Sequence, residues 1–222
     1  MKYEILGTGS AGNAVLLNDE VLIDCGLPLK RIKPYMSRIK LVLLTHIHGD
    51  HFKTSTVKHL AQERPLLRFG CGDWMAAPLL DAGVSANNID ILQFDTAYDY
   101  GICKVIPVAL HHNVPNCGYK IHFTSFPPWK LFYATDTGNL NGIEAKNYDL
   151  YMVEANYEDE EIRKRISEKK VEGEFVYETR VLENHLSKAK CDDFIYRNIG
   201  PTGQYVYMHS HRDDSEKEEE EE

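Results

Sequence analysis

Residues 45–51 read THIHGDH and follow directly on the apolar run LVLL. Three histidines and an aspartate fall within positions 46–51. In an extended segment, residues two apart point the same way, so His46 and His48 can grip one cation. Asp50 and His51 follow Gly49, where the backbone turns freely, and can face a second cation. Two cations roughly 3.5–4 Å apart activate a water and clamp phosphoryl oxygens. Imidazole with carboxylate suits zinc, manganese or iron better than calcium or magnesium. The bland alternative is a chance cluster of surface histidines, and the full pattern behind a buried strand speaks against it.

A binuclear centre needs more ligands, and they should stand at other strand ends. His111 and His112 end the run KVIPVAL, Asp136 ends KLFYAT, and His209 ends YVYM. Each alone is an ordinary loop residue; together, all at predicted strand ends, they form a candidate ligand set. The residues alone leave the choice between His111 and His112 open.

Apolar runs of four to six residues alternate with turns and short helical patterns. They predict strands over Lys2–Leu6, Ala14–Leu17, Val21–Asp24, Leu41–Thr45, Leu66–Phe69, Ile91–Phe94, Cys103–Leu110, Gly118–Phe123, Leu131–Thr135, Leu150–Glu154 and Tyr205–Met208. Helices are expected over Leu29–Met36, Thr54–Gln62, Trp74–Ala82, Glu158–Lys169 and Lys188–Asn198. The mixture suggests an α/β fold, two sheets with helices outside them, in one domain over 1–212. GTGSAG at Gly7–Gly12 matches the dinucleotide fingerprint in letters, but that motif must open a helix. Only AVLL follows before the turn NDE, so a glycine-rich turn between antiparallel strands is the better reading. The basic stretch KRIKPYMSRIK reads as the solvated face of a short helix, with phosphate contact as the alternative.

The formal net charge is −9, and removing the five glutamates of Glu218–Glu222 leaves −4, so no large nucleic-acid footprint is indicated. The segment 213–222 reads as a solvated, disordered acidic tail. Five scattered cysteines, an odd number without a C-x-x-C pair, read as buried thiols and not as a disulfide framework or zinc knuckle. No apolar run approaches the ~20 residues of a membrane span, and the N-terminus carries no signal-peptide pattern. Cytoplasmic location without membrane association is the default expectation.

The motifs GTGSAGN, LIDCGL, THIHGDH, HHNVPNCGYKI, FYATDTG, VEANY, NHLSKA and YMHSH occur in this order along nearly the whole chain. In this the chain resembles metallo-β-lactamase-fold hydrolases, most of all the ribonuclease Z branch with its small bacterial and phage phosphodiesterases. The resemblance implies an αββα sandwich of two mixed sheets with outer helices and two divalent ions, zinc foremost and manganese as the alternative. It implies that His46, His48 and His112 hold the first metal, that Asp50, His51 and His209 hold the second, and that Asp136 bridges them. His112 is chosen over His111 because its spacing to Gly118-Tyr119 matches the ribonuclease Z pattern. Asp24 would support the site from behind. Asp50 would orient or deprotonate the attacking water. His185 and Ser187 in NHLS resemble a His-x-Ser/Thr element in which the histidine assists the chemistry.

Two departures stand out: Asn113 occupies a position that often holds aspartate, and the long arm by which ribonuclease Z grips tRNA has no counterpart. The activity implied is phosphodiester hydrolysis. The acidic balance and the missing arm favour a small or cyclic nucleotide, with RNA or DNA cleavage as the alternative and a non-catalytic metal-binding member as the further one. A homodimer is expected by analogy. The bland reading of His185 is a polar loop residue ahead of Ser187, itself a good N-cap. The functional reading is a general acid: it is the one motif histidine not assigned to metal, and histidine titrates near neutral pH.

Overall fold

The computed structural model describes residues 1–172 and 175–209. The acidic segment expected over 213–222 lies outside them. Among the described residues, twelve strands form two six-stranded sheets. In the first, β1 (Tyr3–Gly7), β2 (Ala14–Leu17), β3 (Val21–Ile23), β4 (Leu41–Leu43), β5 (Arg68–Cys71) and β6 (Ile89–Ile91) lie in sequence order. In the second, the order is β12 (Gln204–Met208), β11 (Leu150–Glu154), β10 (Trp129–Ala134), β9 (Asn116–Phe123), β8 (Cys103–Leu110) and β7 (Tyr98–Asp99).

Strand alternation explains the layers. Val21 and Ile23 of β3 join Leu41 and Leu43 of β4 in the core between the sheets, against Leu131, Leu150 and Met152. Leu22 and Val42 point the other way, onto α1 (Leu29–Ile32), α2 (Thr54–Glu63) and α3 (Ala76–Asp81). Tyr151 and Val153 of β11 face α6 (Lys188–Asn198) through Cys191, Phe194 and Ile195. With apolar residues on both faces, the inner strands are buried outright, as expected for sheets covered on both sides. This is the four-layer αββα sandwich of two mixed sheets. All five cysteines are buried free thiols. No helix among the described residues is long and apolar enough to cross a membrane.

Several elements differ from the sequence-based expectation. The helix expected over Leu29–Met36 ends at Ile32: Lys33 keeps helical backbone and donates to the Leu29 carbonyl, but Pro34 has no N–H with which to continue the ladder. The helix expected over Trp74–Ala82 splits into a 3₁₀ turn, Asp73–Met75, and α3. The strand expected to reach Thr45 stops at Leu43 because the Thr45 N–H donates to the Asp24 side chain at 2.9 Å. Helix α4 (Asp159–Glu172) was expected, but α5 (Glu178–Asn184) was not: its sequence ETRVLEN has no clear apolar stripe. The basic stretch after β3 is largely engaged locally. Arg31 donates to the Leu6 carbonyl, Arg38 pairs with Asp19 and Lys40 with Glu20.

Strands β3 to β6 run parallel, as do β10 to β12, and β8 shares the β10 direction through two antiparallel steps. The C-terminal ends of these strands therefore gather at one edge of each sheet. The loop after β3 closes that edge. Cys25 N–H donates to the His51 carbonyl at 2.8 Å and Asn13 N–H to the Asp50 carbonyl at 2.6 Å. A Cβ at Gly26 would lie 1.7 Å from the Asp50 carbonyl oxygen, so only glycine permits this approach. Gly26→Ala is expected to cost ~1–3 kcal/mol by overpacking, read as a melting point lowered by ~2–4 °C per kcal/mol for a chain of this size. An unchanged melting point would contradict the close approach.

Candidate metal centre

The sequence-predicted residues meet where the two sheet edges face each other. His46, His48 and His112 offer ligand atoms all within 4.8 Å of one another, and so do His46, His51 and Asp136, and again Asp50, His51 and His209. His112 follows β8, Asp136 follows β10 and His209 follows β12, so each comes from a strand end. His111 stands apart: it is exposed, and its backbone N–H and carbonyl bond to the loop carrying Thr137 and Gly138.

The imidazoles are held from behind in a repeated way. The Thr45 hydroxyl donates to Asp24 at 2.9 Å and so accepts from His46 Nδ1–H at 3.0 Å. His51 Nδ1–H donates to Asp24 Oδ2 at 2.7 Å, which is the support expected of Asp24. His112 Nδ1–H donates to the Asn184 carbonyl at 3.0 Å. His209 Nδ1 lies 3.3 Å from Glu154 Oε1. In each case Nδ1 is engaged and Nε2 is left toward the cluster, the arrangement that orients and strengthens imidazole ligands.

Nε2 of His46 and of His209 are buried without a hydrogen-bond partner. Asp136 Oδ2 also lacks one by angle, although it lies 2.9 Å from His51 Nε2. Buried polar atoms normally find partners, so these converging atoms fit divalent cations chemically. Backbone strain marks the same place: Asp24, Asp136 and His209 have φ of 61°, 56° and 52°, a left-handed conformation that non-glycine residues adopt mainly where surroundings enforce it.

Charge follows geometry. Burial, reinforced by neighbouring His51, pushes His46 down to about 2, leaving its imidazole neutral. Burial also lowers His112. Burial opposes protonation of His51, but Asp24 and Asp136 outweigh it and raise that group well above its ordinary value. Burial likewise opposes protonation of His209, and its contacts with Asp50 and Glu154 prevail, raising it to about 10. Burial would raise Asp136, yet His51, His209 and His46 hold it well below the carboxylate range. The cluster thus attracts positive charge, and cations entering it displace protons.

Two residues that sequence reasoning left without a role belong to the site. Glu154, fully buried at the end of β11, accepts from His185 Nδ1–H at 2.6 Å, from Thr137 N–H at 2.9 Å and from Leu186 N–H at 3.2 Å. Glu154 and His185 also fall within a ligand-sized group with Asp136 and His209, but Glu154 spends its oxygens on these hydrogen bonds and serves as an anchor. Asn13, from the glycine-rich turn, is buried with Nδ2 2.8 Å from His51 Nε2 and 3.3 Å from Asp50 Oδ2. The turn does join antiparallel strands β1 and β2, and its work is to present Asn13. An acid closing LYMVE and an asparagine closing GTGSAGN were the available signals. Ser187 caps α6, accepting from Lys190 N–H.

Fold and site together define a metallo-β-lactamase-fold protein with a His/Asp cluster suited to divalent cations. A sequence profile of the β-lactamase superfamily domain matches residues 19–180, and the chain belongs to that family. Among solved structures, the short form of human tRNase Z superposes with a TM-score of 0.69 at 17% identity, covering 96% of this chain and 93% of that one. The metallo-β-lactamase fold protein YhfI from Bacillus subtilis gives 0.69 at 16% identity, covering 99% and 90%. A diphosphatase of the PhnP family gives 0.64 at 14% identity, covering 94% and 85%. No curated protein matches the sequence significantly.

Two outcomes follow. His112→Ala should lose bound metal in elemental analysis while His111→Ala keeps it, because only His112 faces His46 and His48; the reverse would reassign the ligand. In chelated protein, the raised His209 contributes stability that is fully present below its ordinary value of 6.5 and is lost as pH rises through about 10. The stability gap between wild type and His209→Asn should therefore narrow between pH 6 and 10 in denaturant titrations. A gap that widens with pH would contradict the assignment.

Proposed function

We propose that the protein is a binuclear metal-dependent phosphodiester hydrolase acting on nucleotides. The observation that carries this reading is the convergence of His46, His48, His112, Asp50, His51, His209 and Asp136 on one sheet edge, beside a histidine, His185, that its carboxylate partner holds ready for proton transfer. Two divalent ions, zinc foremost, would be held by the first three, by the next three and by Asp136 between; when bound, they supply Lewis-acid activation of water and neutralise phosphoryl charge.

The chain's own groups do the rest. Asp50 is the most open carboxylate of the cluster, with a side chain 24% exposed against 3% for Asp136. It is therefore the group that meets an incoming water, orients it and takes its proton. Burial would raise Asp50, but His209 and His51 hold it lowered and ionised. His185 gives its Nδ1–H to Glu154, so that in its imidazolium form Nε2–H faces the leaving oxygen and, once that proton is given, the Nδ1–H tautomer remains, the division of labour of a His–carboxylate pair. His185 stacks on His209, with centroids 5.3 Å apart and planes at 10°, and its side chain is 20% exposed. It thus stands at the rim of the cluster.

Substrate size is set by what surrounds this rim. The formal charge of −9 disfavours a long polyanion and favours a small or cyclic nucleotide. The test is a panel of cyclic mononucleotides, cyclic dinucleotides, RNA and DNA, assayed with zinc or manganese and after chelation. A small nucleotide should be cleaved with weak salt dependence. Cleavage of long nucleic acid alone, falling steeply with salt as ~6–10 phosphate contacts would dictate, would replace this reading with a nuclease. No turnover of any phosphodiester by metal-loaded protein would leave a metal-binding member without catalysis.

His185→Ala should retain metal and fold yet lose ~10²–10⁴-fold in turnover of an alkyl phosphodiester. The loss should shrink for a p-nitrophenyl ester, whose leaving group needs no proton. Equal losses for both would assign His185 to positioning, and no loss would return it to a structural role.

A further inference from the structure

Trp74 and Phe94 follow β5 and β6, the two strands beyond β4 in the parallel part of the first sheet. They therefore emerge at the same edge as THIHGDH. The indole of Trp74 is pinned. Its Nε1–H donates to the Thr45 carbonyl at 3.3 Å, one residue before His46. Its ring also fills the space over Gly72, where a Cβ would lie 2.1 Å from the nearest ring carbon. Phe94 packs on this ring with centroids 5.9 Å apart and planes at 34°. Asp95, left-handed at φ 58°, donates its N–H to the Pro107 carbonyl of β8 at 2.9 Å, so the Phe94 loop is tied to the strand that leads to His112. Trp74 contributes to both cores flanking the first sheet. Phe94 belongs to none of the three cores and is 41% exposed; Ile47, between His46 and His48, is 38% exposed. The outcome is an aromatic pair, pinned at Trp74 one residue before His46 and exposed at Phe94.

We propose that Trp74 and Phe94 form the base-binding wall of the active site, on which the heterocycle attached to the scissile phosphate stacks. This rests on the phosphodiesterase reading and narrows it to substrates carrying an unpaired nucleobase. Such stacking is worth ~1–3 kcal/mol per base and tolerates any base, because every base has a π-face. Trp74 and Phe94 follow strands of the first sheet and Glu154 ends β11 of the second, so a phosphate at the cluster would lie between base and proton donor. The Trp74 indole is already held by its hydrogen bond to the Thr45 carbonyl, so little ordering of that ring is lost on binding.

The test uses the second property of Trp74, its fluorescence. The chain has two tryptophans, and the other, Trp129, is 4% exposed and stacked on Phe123 with centroids 4.3 Å apart. Adenosine 5′-monophosphate titrated into zinc-loaded protein should quench emission saturably, whereas ribose 5-phosphate should not. Phe94→Ala should weaken the nucleotide titration by ~5-fold or more, the equivalent of about 1 kcal/mol. In kinetics, the same variant should raise the KM ratio of thymidine 5′-(p-nitrophenyl phosphate) to methyl p-nitrophenyl phosphate by a similar factor; these esters share the leaving group and differ in the base. Equal responses to nucleotide and ribose phosphate, or an unchanged KM ratio, would overturn the wall. If neither ester is turned over by wild type, the phosphodiesterase reading fails, while the fluorescence titration still decides whether a base is bound.

Discussion

Asp24 is fully buried, and its carboxylate takes up the Thr45 N–H, the Thr45 hydroxyl and His51 Nδ1–H at once. Burying such a group is costly unless it is fully hydrogen-bonded, and here each partner is a part of THIHGDH. The interaction stops β4 at Leu43 and turns the chain out of the sheet. Through the Thr45 hydroxyl it also fixes His46. The loops after β3 and β4 are thereby welded into one unit, Gly26 permitting their close approach and Asn13 closing it from the β1–β2 side. Every other feature of the site is built against this unit: His112, Asp136 and His209 arrive from the facing sheet, and the aromatic pair hangs on the Thr45 carbonyl.

Glu154 plays the equivalent part in the second sheet. It lies at a strand end, is fully buried, and gathers His185 and the Thr137 and Leu186 N–H groups. The loop carrying Gly138 reaches the α5 end because a Cβ there would sit 2.1 Å from the Glu183 carbonyl. Two buried carboxylates, one per sheet, thus organise the two sides of one edge. The first holds His51 directly and His46 through Thr45, and the second holds His185 and His209.

Much of this was legible in the sequence because strand ends announce themselves. Where LVLL, KVIPVAL, KLFYAT and YVYM run out, the next polar residues are THIHGDH, His111–His112, Asp136 and His209; the alternation of strand and helix patterns suggested two sheets with helices outside, and the resemblance implied the αββα sandwich. What stayed hidden depends on contacts across the chain. Glu154 looks like any acid after an apolar run until His185, 31 positions away, meets it. The residues alone left His111 and His112 open and only the resemblance chose His112; the Asn184 carbonyl that holds it lies in a helix whose sequence has no apolar stripe. Asn13 reads as a turn residue, because turns favour asparagine whether or not it reaches a site.

The central claim is that this sheet edge assembles two cation sites from residues of both sheets. Anomalous diffraction at the zinc absorption edge, on crystals of the zinc-loaded protein, tests it directly. The account predicts two peaks, one among His46, His48 and His112 and one among Asp50, His51 and His209, with Asp136 between them. A single peak, or none at this edge with zinc bound elsewhere, would contradict it.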